Sequence, residues 1–421
     1  MHPRNPYKTP PNFRDLAEAY PLLKPCLQPN SSIDFKNEES QRRLTEAFLC
    51  RDFQLAVELP PNRLCPPVPN RLNYILWLED VLEGIPVDAV RGLDIGTGAT
   101  AIYPLLGCRK NASWSFLATD IDSFSLQHAQ SNIQRNRLEK RIQLIATKPD
   151  APIFAPLLDD LDARIAFTMC NPPFYASRTE VDASAEAKEL EPNAVCTGAD
   201  VEMITPGGES AFVCRMVEES LKIGTRCIWF TSMLGKMSSL SQVVQRLRAH
   251  SIDNYAVTEL VQGTTRRWAI GWSFTDTRLP DSVARIHSTQ LQSLMPPKNT
   301  LHQPFPALGE HLQSTLGKLL EGTLSQIPAT RVVPGVKRDA FTVYAARNTW
   351  SRSARRKQMQ EVESEPVVDS DAILVCGLRW LSEGETGLEL EHQWVRGNDR
   401  RLFEGFASHV NRKLANAAII T

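Results

Sequence analysis

The sequence predicts an α/β protein: a doubly wound, mostly parallel sheet, followed by a smaller C-terminal α+β domain. Three observations predict it. Short apolar strands alternate with helical segments from about residue 90 to residue 274, and alternation of that kind implies a parallel sheet covered by helices on both faces. A Gly-x-Gly turn, Gly96-Thr97-Gly98, lies directly between the first of those strands and the helix after it. After Pro280 the periodicity changes, as expected of a domain boundary in a chain of 421 residues.

In order along the chain, residues 1–40 are Pro-rich and polar, carrying Arg4, Lys8, Arg14 and Lys24 with Tyr7 and Phe13 between them. A helical pattern follows at about 40–52, then a proline-studded connector from Leu59 to Pro69. RLNYILWLEDVL, residues 71–82, has apolar residues at helical spacing and reads as an amphipathic helix. Strands are legible at 92–95, 115–119, 142–146, 165–170 and 226–231, and helices at 99–107, 123–136, 209–222 and 238–250. Two β-rich runs, 256–261 and 267–274, close a domain that spans 41–280. Within it, residues 175–208 form a long connection rich in Ala, Glu and Asp, and a connection that long in a compact domain is usually functional or mobile. Residues 281–306, with Pro296-Pro297, read as a linker. The C-terminal domain, 307–421, reads as a helix at 307–324, strands near 330–347, 372–381 and 387–396, and a closing helix at 399–415.

The composition, 42% hydrophobic and 23% charged, is that of a globular protein with ample core. A net charge of −1 gives no sign of a polyanionic partner, so nucleic-acid binding would need a local basic face. The nine cysteines are scattered without a Cys-x-x-Cys pair, which speaks against a zinc framework or a disulfide scaffold and for a reducing compartment. No signal-like stretch or run of 18 apolar residues is present, so an intracellular, soluble protein is expected, in the nucleus, the cytoplasm or both.

The first motif with chemical content is Gly92-Leu93-Asp94-Ile95-Gly96-Thr97-Gly98-Ala99-Thr100. Glycines let the backbone turn tightly and approach a ligand, and the helix that follows offers free amide donors. Alone it could be an ordinary strand-turn-helix corner. Asp120, at the end of the next strand, strengthens the nucleotide reading, because an acid there can accept hydrogen bonds from both ribose hydroxyls. The third glycine of the pyrophosphate fingerprint is missing, which favours a cofactor without pyrophosphate.

The second motif, Asn171-Pro172-Pro173-Phe174, follows the fourth apolar strand and so falls at its carboxyl end beside the glycine turn. Two prolines stiffen the turn and fix the direction of the Asn side chain. An adenine amino group is a poor nucleophile because its lone pair is delocalised into the ring. The Asn171 amide oxygen and the Pro172 carbonyl can accept its two hydrogens and draw the nitrogen towards tetrahedral geometry. Phe174 can stack on the base and hold it in line with a methyl donor. The competing reading is a capped turn with a buried Phe, and the pairing with Asp-x-Gly-x-Gly at this spacing disfavours it.

These stretches, together with HPRNPY (2–7), RLNYILWLED (71–80), LDIGTGATAIYPLLG (93–107), FLATDID (116–122), CNPPF (170–174), SMLGK (232–236) and QGTTRRWAIGWSF (262–274), resemble the U6 small nuclear RNA adenine methyltransferases (the methyltransferase-like protein sixteen family) and their bacterial large-subunit rRNA relatives. The resemblance covers about residues 1–276. It implies a class I, Rossmann-like methyltransferase domain that uses S-adenosylmethionine and takes a target adenosine from an RNA hairpin into the Asn-Pro-Pro-Phe pocket. It also implies roles residue by residue. Arg71 stands where the methionine carboxylate is paired, Gly96 and Thr100 where the glycine turn touches the cofactor, Asp120 at the ribose and Ala151 at the cofactor adenine. Asn171, Pro172, Pro173 and Phe174 stand at the catalytic turn, with Asn171 also facing the cofactor. Arg4, Lys8, Arg266 and Arg267 are the expected RNA contacts.

The sequence departs from the family in places. The 175–208 connection is basic in animal relatives, whereas here Glu180, Asp182, Glu186, Glu189, Glu191, Asp200 and Glu202 outnumber Arg178 and Lys188. Acids there would repel phosphate. Thr264 stands where an Arg is expected, and Lys148 falls near a lysine-bearing segment that gates the cofactor in relatives. In the C-terminal domain RSARRK (352–357), followed by Glu361, Glu363 and Glu365, would suit phosphate contacts or a solvated loop. The function expected is therefore RNA adenine-N6 methylation, with U6 small nuclear RNA as substrate. The alternatives are a ribosomal RNA substrate, methylation of a protein glutamine amide, and a catalytically silent RNA-binding protein of the same fold.

Overall fold

In a computed structural model of the chain, residues 1–83, 85, 89–189, 198–263, 265–305, 316–335, 339–351, 354, 367–383 and 387–420 are described. They form two compact units, Met1–Thr275 with Arg285–Pro296, and Asp276–Ala284 with Pro297–Thr421.

The first unit starts with α1 (Phe13–Ala19), α2 (Glu38–Phe53) and α3 (Val68–Leu82). Then β1 (Val90–Ile95), α4 (Ile102–Lys110), β2 (Trp114–Asp120), α5 (Ser123–Arg135), β3 (Ile142–Ala146), α6 (Ala155–Asp159) and β4 (Ile165–Cys170) alternate as expected. The connection that follows holds α7 (Arg178–Glu189) and α8 (Asp200–Met203), and leads through α9 (Gly208–Ile223), β5 (Cys227–Leu234) and α10 (Met237–Ala249) to the hairpin β6 (Tyr255–Gln262) and β7 (Thr265–Trp272). The sheet runs β3-β2-β1-β4-β5-β7-β6, with β1 to β5 parallel and β7 antiparallel to both of its neighbours. Strand order reverses between β1 and β4, and ligands of such sheets bind beyond the carboxyl ends of the strands at that point.

Burial explains why these strands read as apolar runs rather than alternations. All six residues of β4 are buried, as are five of the six in β1. Phe230 stacks on Trp272 with ring centroids 5.8 Å apart, and the Trp272 indole N–H donates to Ser220 Oγ at 3.0 Å. The ladder between β4 and β5 is short, pairing only Ile165 with Cys227 and Phe167 with Trp229. Beyond it, the Thr231 N–H donates to Thr168 Oγ1 (3.0 Å) and Thr231 Oγ1 donates to the Thr168 carbonyl (2.6 Å).

The segment 1–40 is not a separate element: it folds onto α2 and α3 within the first unit. His2 Nε2 lies 2.8 Å from Asp80, and Asn5 Nδ2 donates to Asn73 Oδ1 (2.8 Å) and to the Pro69 carbonyl (2.9 Å). Tyr7 is buried, its hydroxyl donating to Asp52 at 2.6 Å, so its ring is core material.

The second unit is a five-stranded antiparallel sheet in the order β8 (Thr300–Phe305), β12 (Gly387–Arg396), β11 (Leu374–Glu383), β10 (Ala340–Ala345), β9 (Thr330–Pro334). Helices Leu316–Ser325 and Arg400–Ile420 pack on the face carrying Phe341, Val343, Leu378, Leu390 and Trp394. The expected linker 281–306 needs correction. Residues 285–296 belong to the first unit, where Leu291 and Met295 pack with Leu247, Ile252 and Tyr255. Residues 300–305 form β8, whose Pro304 is tolerated because β8 is an edge strand. That proline, and the polar residues around it, hid the strand. Most of RSARRK, the three glutamates after it and residues 307–315 of the expected helix lie outside the described residues.

Candidate active site

At the switch point a cavity of about 340 Å³ opens over the ends of β1, β2 and β4, a size within the usual range of ligand pockets. Every residue expected at the cofactor lines it: Arg71, Gly96, Thr100, Asp120, Ala151 and Asn171. Lys148 and Pro173 line it as well.

Each is delivered by a local feature. Gly96 and Gly98 have φ of +69° and +66°, the left-handed region that side chains other than glycine's rarely adopt. The turn they make delays α4, which starts at Ile102 rather than at residue 99. Asp120 ends β2, and its carboxylate accepts the Gly98 N–H on Oδ2 (2.8 Å) and the Asp122 N–H on Oδ1 (2.9 Å). Burial pushes its pKa upward. Asp122 is committed elsewhere, capping α5 through the Ser125 N–H and pairing with Arg63 at 2.8 Å. Arg71 is carried on α3, 5% exposed, with its guanidinium 5.6 Å from the Tyr103 ring. Ala151 offers only a methyl group and backbone, its N–H bonded to the Lys148 carbonyl at 3.1 Å.

Several buried polar atoms gather around this cavity with little to satisfy them: Asn171 Oδ1 has no hydrogen-bond partner, and Asp94, Thr97 and Tyr103 have only the weak interactions of Asp94 with Thr97 and of Tyr103 with Arg71. Buried polar groups are ordinarily paired, so such a concentration calls for an explanation. Burial, with the nearby charge of Asp120, lifts the Asp94 pKa to about 7. Acceptors and hydroxyls beside one buried arginine fit a ligand that brings both ammonium and carboxylate groups, as S-adenosylmethionine does. Thr97, Tyr103, Glu202 and Arg215 also line the cavity, although the sequence reading assigned none of them to the cofactor. The first two lie inside the glycine motif and its helix, where they were legible as neighbours. The other two come from α8 and α9, where no local motif points to a ligand.

The Asn-Pro-Pro-Phe turn leaves β4 at Cys170. Its far side is fixed by the Tyr175 N–H to the Met203 carbonyl and the Thr205 N–H to the Tyr175 carbonyl, both 3.0 Å. Pro172 is buried and Phe174 half-buried. Glu209, 2% exposed, accepts the Gly235 N–H (2.7 Å) and the Lys236 N–H (2.8 Å), and a Cβ placed on Gly235 would lie 3.2 Å from the Phe174 ring.

The expected RNA residues are more scattered. Arg267 holds its guanidinium 5.8 Å from the Phe174 ring centre, on β7. Arg266 is exposed and pairs with Glu259 at 3.2 Å. Lys8 is exposed. Arg4 is engaged by Glu79 (2.7 Å), by Asp80 and by the Leu76 carbonyl (3.0 Å), so it anchors the N-terminal segment to α3. In the acidic connection, Glu180 pairs with Lys236, and Arg178 with Asp200 and Asp182, which neutralises part of its charge. Thr264 and Glu191 lie outside the described residues.

The sequence profile of a family described as RNA methyltransferase matches residues 1–276. The chain is 37% identical over 393 residues to the U6 small nuclear RNA (adenine-(43)-N(6))-methyltransferase of Schizosaccharomyces pombe, covering 91% of this chain and 96% of that protein. It is 34% identical over 404 residues to the RNA N(6)-adenosine-methyltransferase METTL16 of Mus musculus, covering 89% of this chain and 72% of that one. Among solved structures, the human METTL16 catalytic domain in complex with MAT2A 3′UTR hairpin 1 aligns with a TM-score of 0.60 at 40% identity, over 66% of this chain and 96% of that one. The N-terminal domain of human METTL16 in complex with SAH aligns with a TM-score of 0.56 at 37% identity, over 66% and 99%. With its sheet order, its glycine turn and its Asn-Pro-Pro-Phe corner at one cavity, the chain belongs to this family of RNA methyltransferases.

Proposed function

We propose that this chain methylates N6 of an adenosine in structured RNA, with U6 small nuclear RNA as its substrate and S-adenosylmethionine as methyl donor. One observation carries the chemical part: Asn171 Oδ1, buried and unpartnered, at the carboxyl end of β4 in the wall of the cofactor cavity. When bound, S-adenosylmethionine supplies an electrophilic methyl group on a sulfonium.

The chain's own residues do the rest. Asn171 Oδ1 and the Pro172 carbonyl accept the two hydrogens of the adenine amine and localise its lone pair on nitrogen. Phe174 stacks on the base, with the Glu209-held loop behind its ring and Arg267 beside it. Arg71, the glycine turn and Asp120 hold the cofactor, so the reaction gains chiefly from positioning. No strong base is needed, because the amine becomes acidic as it is methylated. Lys8, Arg266 and Arg267 supply RNA contacts around this centre, and the second unit adds phosphate contacts.

The U6 substrate is supported by the fission-yeast relative, which matches along nearly its whole length. A hairpin-shaped target is supported by the human relative's complex with a hairpin. A U6 substrate also puts the work of this protein in the nucleus. The test is methyl transfer from labelled S-adenosylmethionine to a U6 transcript, to a large-subunit rRNA fragment and to total protein, with Asn171→Ala alongside. Label in U6 alone, lost in the variant, is the expected result. Label in rRNA or protein would transfer the assignment to those substrates, and RNA binding without label would mark a silent binding protein.

A further inference from the structure

The connection after the catalytic turn brings a carboxylate back to the cofactor cavity. Glu202, on α8, lines that cavity. Its Oε2 accepts backbone N–H groups from two separate segments, Leu64 at 2.9 Å and Ala199 at 2.9 Å. Its Oε1 approaches the glycine turn, 3.8 Å from where a Cβ on Gly98 would stand. Asp120 meets the same glycine, taking its N–H at 2.8 Å. Two carboxylates thus converge on Gly98 and both face the cavity. Each repels the other and is partly stripped of water, an arrangement that favours a ligand bringing O–H donors. A vicinal diol brings two.

We propose that Glu202 is a cofactor-binding residue: together with Asp120 it receives the ribose diol of S-adenosylmethionine, and its Oε2 bonds tie that contact to the Gly198–Thr205 segment and to the connector at Leu64. This rests on the reading that the cavity holds that cofactor. It gives the acidic connection a task unrelated to gripping RNA phosphates, since an acid in it faces the cofactor. Ribose binding and the ordering of the segment are then one event.

Calorimetry on the full chain tests this, with S-adenosylhomocysteine and its 2′-deoxy and 3′-deoxy counterparts as probes. Glu202→Gln keeps one oxygen for the Leu64 and Ala199 N–H groups and removes the acceptor facing the cavity. It should bind S-adenosylhomocysteine about tenfold more weakly, the loss of one charge-assisted hydrogen bond. One deoxy probe should then bind wild type and Glu202→Gln equally, because the hydroxyl that Glu202 receives is already gone. Glu202→Ala loses both roles, and its 198–208 segment should be cleaved faster by proteinase K, with S-adenosylhomocysteine protecting wild type and Glu202→Gln better than Glu202→Ala. If Glu202→Gln binds S-adenosylhomocysteine as wild type does, or if both deoxy probes lose equally in the two proteins, the proposal is overturned while the cofactor reading stands. A wild-type chain that binds none of the probes would overturn both.

Discussion

Asp120 and Gly98 are joined by a 2.8 Å hydrogen bond from the glycine N–H to the carboxylate, so the acid expected to bind ribose also braces the turn it faces. Asp120→Ala should therefore act twice. Cofactor affinity should fall roughly ten- to a hundredfold, matching about 1.5–3 kcal/mol for hydrogen bonds to a charged group. The melting temperature of the cofactor-free protein should fall too, because a part-buried N–H loses its partner. Titration calorimetry and thermal melts read the two effects separately, and unchanged affinity would remove Asp120 from the site.

Asn171→Ala should leave RNA affinity within a few fold and lower turnover at least a hundredfold, the usual consequence of losing one positioned acceptor, about 3 kcal/mol. Single-turnover kinetics at saturating RNA check it. A variant retaining more than about a tenth of wild-type turnover would show that the amine is activated by another group.

Asp94 gives the cofactor-free protein a pH dependence. Burial raises its pKa from 3.8 to about 7, so the folded form keeps a proton that the unfolded chain releases. That contribution is complete below about pH 4 and is lost as pH rises through about 7, with a slope of at most roughly 1.4 kcal/mol for each step of one in pH. Wild type should melt lower at pH 8 than at pH 6, and Asp94→Asn should flatten the difference. Equal slopes in the two proteins would mean that the carboxylate is stabilised in place.

Arg267→Ala should raise the KM for RNA and lower the salt slope of binding by about one, the signature of a lost phosphate-type contact. Filter binding at three salt concentrations measures it. A fall in kcat with unchanged salt slope would show instead that Arg267 serves Phe174 alone.

The division of labour between the units can be tested at a better boundary than Pro280. Residues 285–296 belong to the first unit, so a chain ending at Pro296 keeps Leu291 and Met295 in its core. It should bind cofactor normally, bind U6 RNA more weakly with a shallower salt dependence, and turn over at nearly the full rate when RNA is saturating. Equal affinity and slope would point the second unit towards protein partners. A chain ending at residue 280 should melt lower than one ending at Pro296.

Much of the first unit was legible because its strands are buried on both faces and so read as uninterrupted apolar runs, β4 most plainly with IAFTMC. The glycine turn and the Asn-Pro-Pro-Phe corner were legible because backbone geometry restricts which residues can stand there. Harder to read was whatever depends on contacts distant in sequence. Glu202 reaches the cavity through Leu64, 138 residues away, and nothing in its local sequence marks it. Arg4 looked like a free cation because its carboxylate partners sit on α3, 75 and 76 residues further on. Strand β8 was hidden by Pro304, which is acceptable only at the edge that the rest of the sheet makes of it.

The brief ladder between β4 and β5 leaves the end of β4 to be held on that side by side chains. In an ordinary parallel sheet, a central strand is stitched to both neighbours and its last residues inherit the sheet's direction. Here the two threonines take over from the ladder before it reaches the Asn-Pro-Pro-Phe corner. The end of β4 is thus held on one side by a backbone ladder that runs to Cys170 and on the other by two hydrogen bonds made through threonine hydroxyls, with Thr168 and Thr231 fully buried. The bearing of Asn171 therefore depends on two side chains as well as on the sheet, and a change at either threonine would reach the Asn-Pro-Pro-Phe corner without touching it.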